Sequence, residues 1–162
     1  MVQVGRVIDD WARLRDVRLR ALAESPEAFG STLAREQLYT DEQWRSWQQS
    51  AAWFIAFDGE RPVGLVGGRH DPVEWLLIAM WVAPEVRGQG VGKRLVDAVV
   101  AEAARRGASA VALHVTDRNL VARKAYERFG FVASGEWESF TREGIHRRER
   151  MRLPVTGSTT NQ

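Results

Sequence analysis

The chain has 162 residues, 44% hydrophobic and 27% charged, with a formal net charge of +2; that is the size and make-up of one globular domain with its own core. The absence of cysteine excludes disulfides, a thiol nucleophile and thiolate metal sites. His70, His114 and His146 are too scattered for a ligand set, so no metal is expected. The small net charge argues against a nucleic-acid partner. No apolar run approaches the roughly 20 residues of a membrane span, and no long apolar leader opens the chain, so a cytoplasmic protein without a membrane partner is expected.

In chain order, residues 2–7 read as a strand. Trp11, Leu14, Val17, Leu19, Ala21 and Leu22 then repeat at mostly helical spacing, giving a helix over 11–23 that stops before Ser25-Pro26. Thr40-Asp41-Glu42-Gln43 has the form of an N-terminal cap, and Trp44 and Trp47 give the helix after it an apolar side. Residues 52–57 and 63–67 are strands around a turn, Asp58-Gly59-Glu60-Arg61-Pro62. Residues 74–82 are apolar on both faces, as in a buried central strand. A helix over 89–106 turns Val91, Leu95, Ala98, Val99 and Ala103 inward and stops at Gly107.

A strand over 110–115 gives way to the polar helix-starters Thr116, Asp117 and Asn119. The helix they open runs to about Phe129, with Gly130 just past its end. Two further strands are expected over 135–141 and 144–153. In the last, His146, Arg148, Arg150 and Arg152 alternate with Arg147, Glu149, Met151 and Leu153, making a basic face that is either simply solvated or steers anions. Residues 156–162 are small and polar, as in a disordered tail. With no repeat and no linker, residues 1–155 are expected to form a single domain.

The most informative segment is M-W-V-A-P-E-V-R-G-Q-G-V-G-K-R-L, from Met80 on. A buried strand ends at Pro84, and a Gly-rich turn with glycines at 88, 90 and 92 runs straight into a helix. Such a start leaves backbone N–H groups unpaired at the positive end of the helix dipole, which favours an anion such as a phosphate. The pattern is not a P-loop: the first Gly would fall at Arg87 and the Ser/Thr at Arg94. Nor is it a dinucleotide fingerprint, whose third Gly would fall at Lys93. What remains is R-x-x-G-x-G, Arg87 to Gly92.

A second segment, L-H-V-T-D-R-N-L-V-A-R-K-A-Y-E-R-F-G-F, places Asn119, Ala122 and Tyr126 at i, i+3 and i+7 on one helical face. An amide, a small gap and a phenol are an unusual core stripe. Together, in this order, the two motifs resemble those of the GNAT superfamily of N-acetyltransferases, whose acyl-CoA pyrophosphate loop reads [QR]-x-x-G-x-[GA]. The likeness covers residues 52–153 well; the segment before agrees in element order only.

The resemblance implies an α/β fold, a mixed twisted sheet with helices on both faces, and acetyl-CoA as cosubstrate without a metal. It implies that Arg87, Gly88, Gln89, Gly90, Val91, Gly92 and Lys93 hold the pyrophosphate, with charge from Arg87, Lys93 or Arg94. Val82 through its main chain, Asn119 and Ala122 would hold the pantetheine arm. The Met80 N–H would polarise the thioester carbonyl, and Tyr126, near the sulfur, would be the general acid. Trp81 is expected in the core. Phe29 and Glu36, in the segment that varies with substrate, together with Glu74 and His114, are candidates for contact with the acceptor; the last three are also candidates for the general base. The activity implied is direct acetyl transfer to a primary amine of a small molecule. Acetylation of a protein N-terminus or lysine, or acyl-CoA sensing without catalysis, are the alternatives. A homodimer through the terminal strands is a further expectation.

Overall fold

The computed structural model describes residues 1–139 and 146–155. Its contacts cluster into two compact units, Met1–Arg69 with Leu77–Glu102, and His70–Leu76 with Ala103–Gln162. In chain order the elements are β1 (Val2–Arg6), α1 (Trp11–Glu24), a 3-10 turn (Pro26–Ala28), α2 (Leu33–Glu36), α3 (Asp41–Gln49), β2 (Ala52–Asp58), β3 (Arg61–His70) and β4 (Trp75–Val82). A second 3-10 turn (Pro84–Val86), α4 (Val91–Arg105), β5 (Ala110–Thr116), α5 (Leu120–Arg128), β6 (Val132–Ser139) and β7 (Arg147–Pro154) follow. Hydrogen bonding orders the mixed sheet β1-β2-β3-β4-β5-β7-β6.

The first unit holds β1, β2, β3 as far as Arg69, all of β4 beyond Leu76, and α1 to most of α4. β1 and β2 are antiparallel, as are β2 and β3. Arg61 and Pro62 belong to β3 rather than to the turn, because a register shift between Ala56 and Phe57 accommodates the proline. α3 starts at a full capping box: the Thr40 hydroxyl accepts the Gln43 N–H at 3.2 Å, and the Gln43 side chain accepts the Thr40 N–H at 2.8 Å. The aromatic face of α3 packs on β2. Trp47 stacks on Trp53 at 4.0 Å, Trp44 meets Trp47 edge-on, and the Trp53 Nε1–H donates to the Trp47 carbonyl. That ring leaves no room for a side chain at Gly67, where a Cβ would stand 2.6 Å from Trp53.

In the second unit β5 pairs with β7 along its whole length, from Ala110↔Pro154 to Thr116↔Arg148, burying Val111, Leu113, Val115 and Met151. α5 begins at Asn119, whose Oδ1 accepts the Ala122 N–H at 3.1 Å. It ends in a Schellman motif: the Phe131 N–H donates to the Tyr126 carbonyl and the Gly130 N–H to the Glu127 carbonyl.

Several boundaries differ from the sequence reading. α2 is an additional single turn capped by the Thr32 hydroxyl. α4 starts at Val91 and not at residue 89, because Gly88 and Gly90 have positive φ. β6 begins at Val132, earlier than expected. The expected extension of these strands across 140–145, and the expected tail, lie outside the described residues. Among the described residues, no helix is long and apolar enough to cross a membrane.

Candidate functional site

The Gly-rich loop lies in the first unit. Gly88 has φ +77° and Gly90 φ +81°, values that cost an L-residue about 1–2 kcal/mol. A Cβ added at either would meet nothing within 4 Å, so the backbone here faces open space. The Arg94 N–H is the first in α4 to find its helical acceptor, the Gly90 carbonyl at 3.2 Å. The N–H groups of Val91, Gly92 and Lys93, in the turn before it, belong to the end of a helix where an anion is favoured.

The cationic side chains of the loop are engaged by the protein itself. Arg87 donates from Nε to the Val82 carbonyl at 3.0 Å and from Nη2 to Glu24 at 2.9 Å. Glu24 also accepts the Trp81 Nε1–H at 2.8 Å and the Ser25 hydroxyl; these two bonds, ahead of Arg87, hold its carboxyl below the usual range. Trp81 is buried, in the core as expected. Arg94 donates to the Val2 carbonyl. Lys93 pairs with Asp97 at 2.6 Å, both half exposed, an i,i+4 surface pair worth only about 0.3–0.5 kcal/mol and easily given up. Arg87 therefore fixes the base of the loop, and backbone N–H groups with Lys93 remain to face an anion.

Within β4, Ala79 has φ +56°. A left-handed alanine in mid-strand interrupts the pleat and re-aims the peptide N–H that follows, that of the half-buried Met80. The described parallel ladder between β4 and β5 holds only two pairs, Trp75↔Val111 and Leu76↔Ala112.

Phe29 and Glu36 also lie in the first unit. Glu36 is 2% exposed and its two oxygens accept from Arg18 Nε and Nη2 at 2.9 and 3.0 Å. The Arg18 guanidinium lies 4.6 Å from the Phe29 ring centre and 5.3 Å from that of Trp47. This bidentate, aromatic-flanked pair occupies the Glu36 carboxylate as a structural ion partner.

The second unit holds Asn119, Ala122 and Tyr126. The Schellman turn brings Phe131 edge-on against the Tyr126 ring at 5.8 Å, and burial pushes its phenol up to about 12. The Asn119 Oδ1 is committed to the helix cap. Glu74 lies just before β4 and is 5% exposed. It accepts from Arg152 at 2.6 and 2.8 Å and from Arg150 at 2.9 and 3.3 Å. Hydrogen bonding from Arg152, then from Arg150, outweighs burial and lowers its pKa. The arginines on the basic face of β7 thus each have a carboxylate partner: Arg150 and Arg152 lie on Glu74, and Arg148 on Glu138 at 2.6 Å. His114 is 19% exposed, 3.6 Å from Glu138.

The sequence reading missed the left-handed Ala79, since alanine carries no such signal, and the Arg18–Glu36 and Arg87–Glu24 pairs, which join residues far apart in the chain.

Residues 16–131 match the acetyltransferase (GNAT) family, and the chain belongs to that family. It is 32% identical over 131 residues to a mycothiol acetyltransferase of Geodermatophilus obscurus, covering 76% of this chain and 41% of the relative. It is 33% identical over 92 residues to a peptidyl-lysine N-acetyltransferase of Salmonella typhimurium, 56% of each. The chain thus spans less than half the length of that mycothiol acetyltransferase. The crystal structure of the ribosomal-protein-S18-alanine N-acetyltransferase of Escherichia coli shares the fold, with a TM-score of 0.72 at 19% identity over 100% of this chain and 99% of that one.

Proposed function

We propose that the protein is an acetyl-CoA-dependent N-acetyltransferase that passes acetyl directly to a primary amine of a small molecule. The observation that carries this reading is the loop before α4: two left-handed glycines facing open space beside a helix N-terminus, a fit for a pyrophosphate. Gly88 to Lys93 hold the pyrophosphate through backbone N–H groups, and Arg87 holds the loop. The family motifs assign the pantetheine arm to Val82, Asn119 and Ala122. The Val82 carbonyl already accepts from Arg87 and the Asn119 Oδ1 caps α5, so the Val82 N–H and the Asn119 amide nitrogen are the groups for that contact. The re-aimed Met80 N–H stabilises charge on the thioester oxygen.

Tyr126 serves the leaving sulfur. A phenol at about 12 stays protonated at any working pH. It is also a weaker acid than a thiol of pKa roughly 8.5, so full proton transfer to a free thiolate is uphill. Its role is to donate a hydrogen bond to the sulfur as the C–S bond breaks, with proton transfer tied to proton loss from the new amide nitrogen.

The small-molecule acceptor is supported by the likeness to mycothiol acetyltransferases. A protein lysine or N-terminus is the second reading, supported by the shorter match to the peptidyl-lysine enzyme. An acetyl-CoA assay with amino sugars, amino thiols, polyamines and peptides, following CoA release and product mass, separates them. Turnover of peptides alone would overturn the small-molecule reading. Saturable acetyl-CoA binding without any product would favour a sensor.

A further inference from the structure

We propose that His114 is the general base that takes the proton from the acceptor ammonium. The proposal rests on the acetyl-transfer reading above.

The register carries it. Cross-strand partners share a face, and the pairs Ala112↔Arg152, His114↔Arg150, Thr116↔Arg148 and Glu138↔Arg148 put these side chains on one face of the second unit. The described β4 pairing of β5 ends at Ala112. His114 is the next side chain on that face, just past the last described β4–β5 pair.

Among the described residues, the carboxylates beside it and the other candidate bases are spent. Glu74 is clamped by Arg150 and Arg152, and Glu138 by Arg148. Asp71 accepts the Val73 N–H and lies 3.9 Å from Arg150. In the first unit Glu36 belongs to Arg18. His114 Nε2 stands 3.6 Å from the nearest Glu138 oxygen, beyond hydrogen-bond reach. Among the described residues, the charged groups acting on the ring are Arg148, Arg150, Glu138 and Asp71. Partial burial first, then Arg148 and Arg150, outweigh the two carboxylates and lower the imidazole below its ordinary value. The ring is therefore neutral, and able to accept a proton, at neutral pH.

The protons balance. Nε2 takes one proton from R–NH3+ and passes it to solvent. The amine lone pair forms the C–N bond and the C–S bond breaks. The second nitrogen proton replaces the one the sulfur gains through Tyr126. Amide, CoA thiol and one released proton result.

The test is the pH dependence of kcat/KM for an amine of pKa near 10 with the wild-type protein, His114→Gln and Glu138→Gln. If His114 is the base, the wild-type profile levels off below pH 7. That of His114→Gln is lower by about 10²-fold or more at neutral pH and climbs tenfold per pH unit toward the amine's own pKa. Glu138→Gln, which removes a charge favouring the imidazolium, moves the wild-type acid limb to lower pH. Acetyl-CoA should raise the melting temperature of all three equally, which shows that the variants are folded and load the cosubstrate. An active wild type whose profile His114→Gln leaves unchanged overturns the base while leaving acetyl transfer intact. A wild type that acetylates no amine overturns the underlying reading instead.

Discussion

Replacing Gly90 by Asp tests the loop where its geometry is most demanding. Two effects must be separated. At φ +81° a side chain costs about 1–2 kcal/mol; the stiffer unfolded chain returns about 0.4–1 kcal/mol. With no protein atom within 4 Å of the new Cβ, the apoprotein should lose on the order of 1 kcal/mol, or about 2–4 °C for a chain of this size. The effect on the ligand is larger. A carboxylate about 4 Å from a phosphate charge costs about 1 kcal/mol in bulk-water dielectric and about 4 kcal/mol at a surface-like dielectric. Two phosphates at the lower figure give about 2 kcal/mol, a roughly thirtyfold loss of affinity. At acetyl-CoA one hundred times the wild-type Kd, stabilisation should fall from about 2.7 to about 0.9 kcal/mol. Thermal melts with and without acetyl-CoA measure both effects, and Gly90→Asn carries the strain without the charge. Undiminished stabilisation of Gly90→Asp would refute pyrophosphate binding at this loop.

Tyr126→Phe keeps the packing against Phe131 and removes the donor, so acetyl-CoA binding should persist while kcat drops about tenfold or more in single-turnover measurements; an unchanged chemical step would leave Tyr126 a packing residue. Glu36→Ala strands the buried Arg18 guanidinium and should cost about 3–5 kcal/mol in urea unfolding; a loss under 1 kcal/mol would contradict its structural role. Glu74 has a folded-state pKa below its ordinary 4.5, so it contributes stability that is fully present above pH 4.5 and is lost as pH falls through the folded value. Glu74→Gln should be less stable at neutral pH and flatter in its acid unfolding profile; parallel profiles for the two proteins would remove Glu74 from the acid response.

What could be read from the sequence was local. The Thr40 capping box and the Gly130 helix end each depend on a few neighbouring residues, and both appear as expected. The Arg87–Gly92 loop was equally legible, because few residues besides glycine accept φ near +80°. α2 was missed because a single turn, Leu33–Glu36, is too short to show helical periodicity. The left-handed Ala79 is imposed by the strand's surroundings on a residue that gives no hint of it. Glu36 and Glu74 looked like free carboxylates until folding brought Arg18, Arg150 and Arg152 onto them. Pairs separated by 18 and 76 positions leave no pattern in one sequence. The same ion pairs are what single out His114, so the candidate base became legible only with the β5–β7 register.

The central claim is direct transfer of acetyl from CoA to an amine, and initial rates with both substrates varied test it most directly. With an amine found in the acceptor panel, double-reciprocal plots should intersect, as a ternary complex requires. N-acetylated product and free CoA should accumulate in equal amounts, without an acetylated protein intermediate in this cysteine-free chain. Parallel lines, with an isolable acetyl-protein that passes its group to the amine, would contradict the account.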